Sequence, residues 1–327
     1  MFNPMSGKKV GRLDWADIVR HLAGPDSTYD LVFTERAAHA TDYMLEVDWA
    51  LYERLVCYGG DGILYEVLQG LLKHPDRTAI LSRITIGILP GGSGNGLARS
   101  IAAEGGFRCD VERTMAMIAK GGSVRGKLAE VQTSDGKTHY SFLSLTWGLL
   151  ADIDLDSEFL RFMGGARFDV YAAMRLCWIK THRAKLQYTN NWPAGADLPP
   201  LSEPIAANTG GADWTTIEDG FITIVALLVP WIAMDSKISK TQTVGGSKYQ
   251  LMIIRRKISK LATIKTFLAF DDKASQADQK TVEMIDCDAF RLTPAGRKNT
   301  HHSLDGEEVE YGPIQAVVRP GAWNLIT

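Results

Sequence analysis

The stretch VCYGGDGILYEVLQGLL, residues 56–72, places two glycines, an aspartate and a third glycine between an apolar run and an amphipathic run. The apolar run is typical of a buried strand, and the spacing of the apolar residues after it is typical of a helix. The first N–H groups of such a helix lack partners and attract anions. Glycines let the backbone approach a ligand closely. The stretch therefore predicts an anion-binding turn that carries Asp61.

A second stretch, ITIGILPGGSGNGLARS at residues 84–100, repeats the order of strand, glycine-rich turn and helix. Its turn contains Gly92, Gly94, Ser93 and Asn95, and the last two carry side chains that can hydrogen-bond to phosphate or ribose. Neither turn matches the Walker pattern G-x-x-x-x-G-K-[ST] or the dinucleotide pattern G-x-G-x-x-G. Two such turns on neighbouring strand ends would face one crevice, where open α/β sheets bind ligands. They favour a nucleotide site, and a pair of purely structural turns is the alternative.

The composition narrows the class of protein. A chain of 327 residues is long enough for two cores. Its formal net charge of -2 gives no global basic field, so no nucleic-acid partner is expected. No apolar run is long enough to span a membrane, and MFNPMSGKK lacks the apolar core of a signal peptide. The four cysteines form no C-x-x-C pair, which fits a reducing compartment. We expect a cytoplasmic protein.

Strand-like and helix-like runs alternate in the first third of the chain, which predicts a parallel sheet covered by helices. The second part is rich in β-like runs whose spacing predicts an antiparallel sandwich. The fold class is therefore α/β, with a nucleotide-binding domain at 1–122 and a β-sandwich domain at 123–327. A long helix is expected from about 157 to 185. The remaining predictions for the first third are strands at 29–34, 54–58 and 84–90, and helices at 40–55 (capped by Thr41), 63–74, 95–104 and 110–122.

The motifs NPMSGKK, GGDGILYEV and LPGGSGNGLA occur in the order and spacing of the lipid kinases of the diacylglycerol kinase superfamily. The form GSGNGLA resembles the sphingosine kinases. The similarity continues through SLTWGLLADIDLDSEFLRFMGGARF, AFRLTP and HSLDGEEVE. This resemblance implies an α/β nucleotide domain followed by a β-sandwich lipid domain. It also implies ATP and Mg²⁺ as cofactors and a membrane-derived lipid as substrate.

The resemblance assigns roles to individual residues on the nucleotide side. Asp61 would accept the proton of the lipid hydroxyl during phosphoryl transfer. Two arginines of the second domain, Arg161 and Arg167, would clamp the phosphates. Glu66 would face the nucleotide or, equally, be a solvated helix residue, and Asp305 would lie near the nucleotide or be a plain hairpin residue. The other residues implied at this site are Asn3, Thr34, Gly59, Gly60, Gly62, Gly92, Ser93, Gly94 and Asn95.

On the lipid side, the acidic run ADIDLDSEF does not fit an EF-hand, because its sixth and twelfth positions hold Ser157 and Met163. The resemblance makes Asp154 the partner of a sphingoid ammonium group and Ser144 a residue that holds the lipid hydroxyl. Phe168 and Met174, on the expected long helix, are candidates for the wall of the lipid tail site.

That helix could be ordinary core packing, touch a membrane surface or resemble a calmodulin target. A homodimer also stays open, and the adjacent His301 and His302 are expected at the surface. A ceramide or diacylglycerol kinase is an alternative to a sphingosine kinase. A non-catalytic lipid-binding scaffold and an NAD kinase, which shares a GGDG element, are rivals from other classes.

Overall fold

The computed structural model describes residues 1–2, 4, 28–157, 159, 166–256 and 259–327, with the backbone alone at 166–169, 177 and 260. The helices are α1 His39–Glu46, α2 Asp61–Lys73, α3 Arg77–Arg83, α4 Gly96–Glu104, α5 Val111–Lys120, α6 Leu149–Asp156, α7 Ala166–Cys177 and α8 Lys260–Leu268. The strands are β1 Arg54–Gly59, β2 Thr85–Pro90, β3 Ser123–Gln132, β4 Thr138–Ser141, β5 Ser144–Gly148, β6 His182–Thr189, β7 Thr215–Leu227, β8 Tyr249–Arg255, β9 Val282–Cys287, β10 Ala289–Pro294, β11 His302–Leu304, β12 Glu307–Val309 and β13 Ile314–Ile326.

In the first half, β1 and β2 pair in parallel, with Arg54 opposite Thr85. Helices pack against them through apolar residues such as Leu64 of α2 and Ile101 of α4, both buried. The helix predicted over 110–122 is confirmed as α5, since Asp110 accepts from its first turn and Gly121 follows it in a left-handed conformation with φ 78°. This half is the α/β unit that the alternating runs predicted.

The second half is antiparallel and folds back on itself around one core. β7 is central, because it pairs with β5, β6 and β8. Every second residue of these strands points inwards, as the two-residue period of a strand requires. The inward-facing residues include Leu145, Trp147, Leu186, Phe221, Ile224, Tyr249, Leu251, Phe290 and Ile314. Helices α6, α7 and α8 cover the outer face of β7 and β8. The predicted fold class is confirmed.

One strand joins the two halves. β13 pairs with β10 and β3, and its last residues then run parallel to β2, with Asn324 opposite Thr85. The register shifts between Arg319 and Trp323, where the strand passes from one half to the other. The end of the chain therefore completes the parallel sheet of the first half, and the division at residue 122 stays a prediction.

The helix predicted over 40–55 is shorter in the structure. α1 ends at Glu46, since Val47 is extended, and Asp48 instead accepts from Ala50 to begin a short 3₁₀ turn. Thr41 does not cap the helix, because its hydroxyl donates to the carbonyl oxygen of Glu66. The strand predicted over 29–34 is reduced to a single bridge between Phe33 and Phe2.

The long helix predicted over 157–185 is also wrong in its extent. α7 ends at Cys177 and the chain enters β6 at His182. Alternate residues of β6 are buried, which is the period of a strand and not of a helix. The acidic run before it is helical, because α6 covers 149–156. Helices α3 and α8 and strand β8 were not predicted.

Candidate functional site

The two glycine turns meet at the carboxyl ends of β1 and β2. Gly91 N donates to Gly59 O at 2.8 Å, so the turns leave the sheet side by side. A Cβ atom on Gly92 would lie 2.6 Å from Gly60 N, and one on Gly60 would lie 3.0 Å from Gly92 Cα. Side chains at these positions would therefore collide with backbone of the other turn. Glycine is required here because the turns pack against each other, whether or not a ligand is bound.

Asp61 is the first residue of α2, and its carboxylate points across the crevice to the start of α4. Oδ2 accepts from Gly96 N at 2.7 Å and Oδ1 accepts from Leu97 N at 3.3 Å. Burial raises the pKa of Asp61 to about 6, although these N–H groups lower it by stabilising the charged form. A Cβ on Gly94 would lie 3.1 Å from Oδ2, so the second turn passes directly over the carboxylate. A proton-accepting group thus sits between the two turns.

Asn95 closes the second turn with its own side chain. Its Oδ1 accepts from Gly92 N at 2.8 Å and its Nδ2 donates to Gly92 O at 2.6 Å. The backbone is left-handed, with φ 58°, a conformation that asparagine tolerates better than most residues. The side chain expected to contact phosphate or ribose therefore braces the loop in this structure. Ser93 lies half-buried at the tip of the turn.

Thr34 follows Phe33 at the same edge of the sheet. Phe2 bridges both Phe33 and Tyr58 in parallel, so the chain after each of these residues emerges beside the glycine turns. Thr34 is buried, and its N–H donates to Phe2 O at 2.8 Å. Asn3 lies outside the described residues. The position of Thr34 agrees with a place near the nucleotide, and its contact with a nucleotide stays a prediction.

Glu66 lies one turn into α2, and its carboxylate points to α1. Oε2 accepts from Ala40 N at 3.2 Å, in the first turn of α1. An acidic side chain at this place satisfies a free N–H group and the positive end of the helix dipole. Glu66 is half-buried and joins two helices instead of standing as a solvated helix residue. Its contact with the nucleotide stays a prediction.

Asp305 lies at the turn between β11 and β12 with φ 54° and is buried. Its Oδ1 accepts from Ser141 Oγ, Leu143 N and Ser144 N, and its Oδ2 accepts from Phe142 N, all at 2.7–3.0 Å. Burial raises the pKa of Asp305 to about 7 against these hydrogen bonds. The carboxylate holds the turn from β4 to β5, and its expected proximity to the nucleotide stays a prediction.

The residues expected to recognise the lipid head lie on one face of the sheet. Ser144 begins β5, and Ser303 of β11 pairs with Thr146 two residues further on. Residues two apart on a strand share a face. Asp154 of α6 is half-buried, and its Oδ2 accepts from Ser303 Oγ at 2.7 Å. A carboxylate and a serine thus approach the same face from α6 and β5.

The other acids of α6 tie it to its surroundings. Asp152 pairs with Arg175 of α7 and accepts from Thr300 Oγ1 at 2.6 Å. Asp156 accepts from Tyr171 OH at 3.2 Å and lies 3.2 Å from His301 Nε2. These ties fix the orientation of the helix that carries Asp154, and the sequence pattern did not reveal them.

The prediction that His301 and His302 lie at the surface is wrong for His302. Its ring is buried, and its Nε2 lies 2.9 Å from Gly312 O. Burial lowers the pKa of His302 to about 4, because the charged ring would lose its hydration. In β11 the side chain of His302 points into the core, whereas His301 remains partly exposed.

Met174, a candidate for the lipid tail site, is 46% exposed on α7. Val170 and Trp178 are exposed at the same four-residue spacing, so they lie with Met174 on one side of the chain. The side chains of Arg167 and Phe168 are not described, and Arg161 lies outside the described residues. Contact with a membrane surface stays a prediction, as do a calmodulin-like partner and a homodimer.

Sequence reasoning missed Glu307 on β12. Its Oε1 lies 3.3 Å from the position of a Cβ on Gly62, which places a carboxylate oxygen against the first glycine turn. The signal that could have found it is its position two residues after Asp305, which puts both acids in one hairpin.

Residues 1–131 match the family described as the diacylglycerol kinase catalytic domain. The chain is 28% identical to sphingosine kinase 1 of Mus musculus, with 98% of this chain and 88% of that protein covered. It is 28% identical to sphingosine kinase 1 of Arabidopsis thaliana over 90% of its own length and spans 64% of that protein. A crystal structure of a diacylglycerol kinase from Bacillus anthracis has the same fold, with a TM-score of 0.69, 16% identity, and 99% of this chain and 94% of that chain covered.

These matches confirm the resemblance found in the motifs, and they support an ATP-dependent lipid kinase. The similarity in sequence extends well beyond the first half, so it includes the strands and helices that carry Ser144 and Asp154. Within the described ranges, no helix combines the length and apolar character needed to cross a membrane.

Proposed function

We propose that the protein transfers the γ-phosphoryl group of ATP to the hydroxyl group of a sphingoid base. The observation that carries the proposal is the position of Asp61, buried between two glycine turns and directed at the first N–H groups of α4. Phosphoryl transfer requires an acceptor hydroxyl held in line with the phosphate and a group that takes its proton. The geometry of this crevice supports both requirements.

Asp61 is the proton acceptor in this proposal. A general base works best when its pKa lies near the operating pH, and burial raises the pKa of Asp61 to about 6. The hydrogen bonds from Gly96 and Leu97 hold the carboxylate in one orientation. A lipid hydroxyl that reaches the crevice would therefore meet a positioned carboxylate next to the phosphates.

The phosphates would bind at the second glycine turn, whose glycines leave the backbone accessible to an anion. The first N–H groups of α4 are taken by Asp61, which would place the carboxylate beside the phosphates. Mg²⁺ prefers carboxylate oxygens and retains several waters, and Glu307, against Gly62, offers such an oxygen at the mouth of the turn. The ion would neutralise charge on the phosphates.

Asp154 and Ser144 support a sphingoid base over a neutral lipid. A sphingoid ammonium group that leaves water needs a carboxylate partner, because burying an unpaired charge is costly. Asp154 lies half-buried on the face that also carries Ser144 and Ser303. Diacylglycerol and ceramide have no ammonium group, so a carboxylate at this position would form no ion pair with them.

The direct test is ATP-dependent phosphorylation of sphingosine, ceramide, diacylglycerol and NAD by the purified chain under one detergent condition. We expect the highest kcat/KM with sphingosine. Preference for a neutral lipid would remove the substrate assignment, and phosphorylation of NAD alone would replace it. No turnover on any of these compounds, with lipid binding retained, would favour the non-catalytic scaffold.

Asp154→Asn tests the basis of the selectivity. A hydrogen bond between charged groups contributes about 1.5–3 kcal/mol, which corresponds to roughly tenfold to hundredfold in affinity. KM for sphingosine should rise by that order, while kcat/KM for diacylglycerol and the KM for ATP stay unchanged. Ser303→Ala is the matched control, because it removes the neutral partner of Asp154 and keeps the charge. Equal losses on charged and neutral lipids would show that Asp154 supports the fold instead.

A further inference from the structure

The start of α4 is held from outside by a short segment of the second half, residues 231–238, which we call the strap. Asn95 and Ala233 form an isolated antiparallel bridge. A Cβ on Gly96 would lie 2.7 Å from Trp231 O and 2.8 Å from the carbonyl carbon of Ile232. The strap therefore packs backbone to backbone against the residue whose N–H group donates to Asp61.

The strap is also bonded to the first turn of α4. Trp231 N donates to Ser100 Oγ at 3.2 Å, and Ser100 Oγ donates to Gly96 O at 2.8 Å. This hydrogen-bonded chain runs from the strap through one buried hydroxyl to Gly96. A displacement of the strap would therefore also displace the first residues of α4.

Arg99 and Trp231 clamp the strap in place. The Arg99 guanidinium lies 3.9 Å from the centre of the Trp231 ring, and its Nε donates to Met234 O at 3.2 Å. Trp231 is buried. A planar guanidinium can stack on an aromatic ring and donate in its own plane at the same time, which a lysine ammonium cannot do in this geometry.

The far side of the strap is anchored as well. Lys237 N donates to Asp271 O at 3.2 Å, and Gln276 Nε2 donates to the carbonyl oxygens of Lys237 and Ile238. Asp271 and Gln276 lie in the turn after α8. The strap is therefore fixed at one end to the outer layer of the second half and at the other end to α4.

We propose that Arg99 and Trp231 are positioning residues for Asp61, holding the strap against α4 so that the N–H groups of Gly96 and Leu97 stay directed at the carboxylate. The inference rests on the proposed function, in which Asp61 accepts the substrate proton. Hydrogen bonds to a carboxylate favour its charged form. If the clamp is lost, those bonds lengthen, the pKa of Asp61 rises, and the base is active only at higher pH.

The test uses the full chain with the substitutions Trp231→Leu and Arg99→Lys. Trp231→Leu changes no charge, and Arg99→Lys keeps the positive charge but removes the stacked fork. Both should move the acid limb of the kcat profile to higher pH by roughly half to one pH unit and lower kcat at pH 5 by about threefold to tenfold. Amide hydrogen exchange in a peptide covering 96–101 should become faster in both variants.

Two controls separate positioning from other effects. Ile101→Val removes a methylene from the buried face of the same helix, so it lowers stability and leaves Arg99 and Trp231 unchanged. Arg99→Ala removes the charge, which acts on the nearby Cys109 thiol together with the charge of Asp61. If the acid limb of the kcat profile shifts with Arg99→Ala but not with Trp231→Leu or Arg99→Lys, the charge of Arg99 explains the shift and the proposal is overturned. The proposal is also overturned if Trp231→Leu and Arg99→Lys leave the acid limb where it is, or if Ile101→Val shifts it by the same amount.

The clamp can still be tested if the proposed function is wrong. If the wild-type chain phosphorylates no lipid, the clamp is judged by hydrogen exchange alone. Faster exchange at 96–101 in Trp231→Leu than in Ile101→Val supports the clamp, and equal exchange overturns it.

Discussion

Asp61 and Asp305 are both buried aspartates with a raised pKa, but their surroundings differ. Asp305 accepts four hydrogen bonds, three of them at one oxygen, from a single turn. Among the described residues, Gly96 N and Leu97 N donate to the side-chain oxygens of Asp61 at 2.7 and 3.3 Å, and the N–H groups of Asp61 and Asn95 also lower its pKa. Asp305 is therefore held by four short hydrogen bonds that include a side-chain hydroxyl. Asp61 is held by backbone N–H groups alone, at longer distances on average.

This difference separates a structural acid from one that can take part in chemistry. Both side chains lose hydration on folding, which raises both pKa values. At Asp305 the donors belong to a turn that needs a partner, so the acid and the turn stabilise each other. At Asp61 the neighbouring glycine turns leave backbone rather than side chains around the carboxylate.

The largest expected effect is on activity. Asp61→Asn should lower kcat by about 10²- to 10⁴-fold, because an amide cannot accept the proton. The melting temperature should not fall, since the amide oxygen can still accept from Gly96. Initial rates and thermal unfolding of one preparation measure both quantities. Turnover within a factor of two of the wild type would take Asp61 out of the mechanism.

Asp305→Ala should instead act on stability. It leaves three buried N–H groups and the Ser141 hydroxyl without their acceptor, so the free energy of unfolding should fall by about 3–5 kcal/mol. Urea unfolding measures this change. Glu307→Ala, two residues away on the exposed side of the hairpin, is the control and should cost far less. A loss below about 1 kcal/mol, typical of a surface substitution, would contradict the structural role.

The pH dependence of stability should distinguish Asp61 from its amide. The folded pKa of about 6 lies above the ordinary 3.8, so the folded state binds the proton more tightly than the unfolded state. The stability present below about pH 4 is lost as the pH rises through 6. At pH 8, Asp61→Asn should therefore be more stable than the wild type by up to about 3 kcal/mol. Thermal melts from pH 4 to 8 measure the difference, and a difference independent of pH would argue against a buried, ionised Asp61.

The smallest effect concerns one of the four donors to Asp305. Ser141→Ala removes the hydroxyl that donates to Oδ1 at 2.7 Å, and it should cost about 1–2 kcal/mol in the free energy of unfolding. Activity per folded molecule should stay unchanged, because the three backbone donors still hold the turn. A loss of activity without a loss of stability would mean that this turn serves the reaction directly.

The sequence by itself determined the two strand–turn–helix units and the class of the first half. The reason is that strand and helix periods, and glycines between them, involve residues that are neighbours in the chain. Asp61 could be singled out for the same reason, since its flanking glycines are adjacent to it. The helix predicted over 110–122, which the structure has as α5, is a further example. Motif resemblance added Asp154, Ser144 and Asp305 as residues of interest.

Only the tertiary structure decided what these residues touch. The donors to Asp305 lie 161 to 164 residues away in the chain, and no local pattern marks them. Glu66 carries a side chain suited to a ligand, yet the Ala40 N–H group of α1 donates to it once the two helices pack. β6 is a strand because β7 and β10 flank it, although its composition also suits a helix. Such outcomes depend on which surfaces meet, and packing between distant segments overrides local preference.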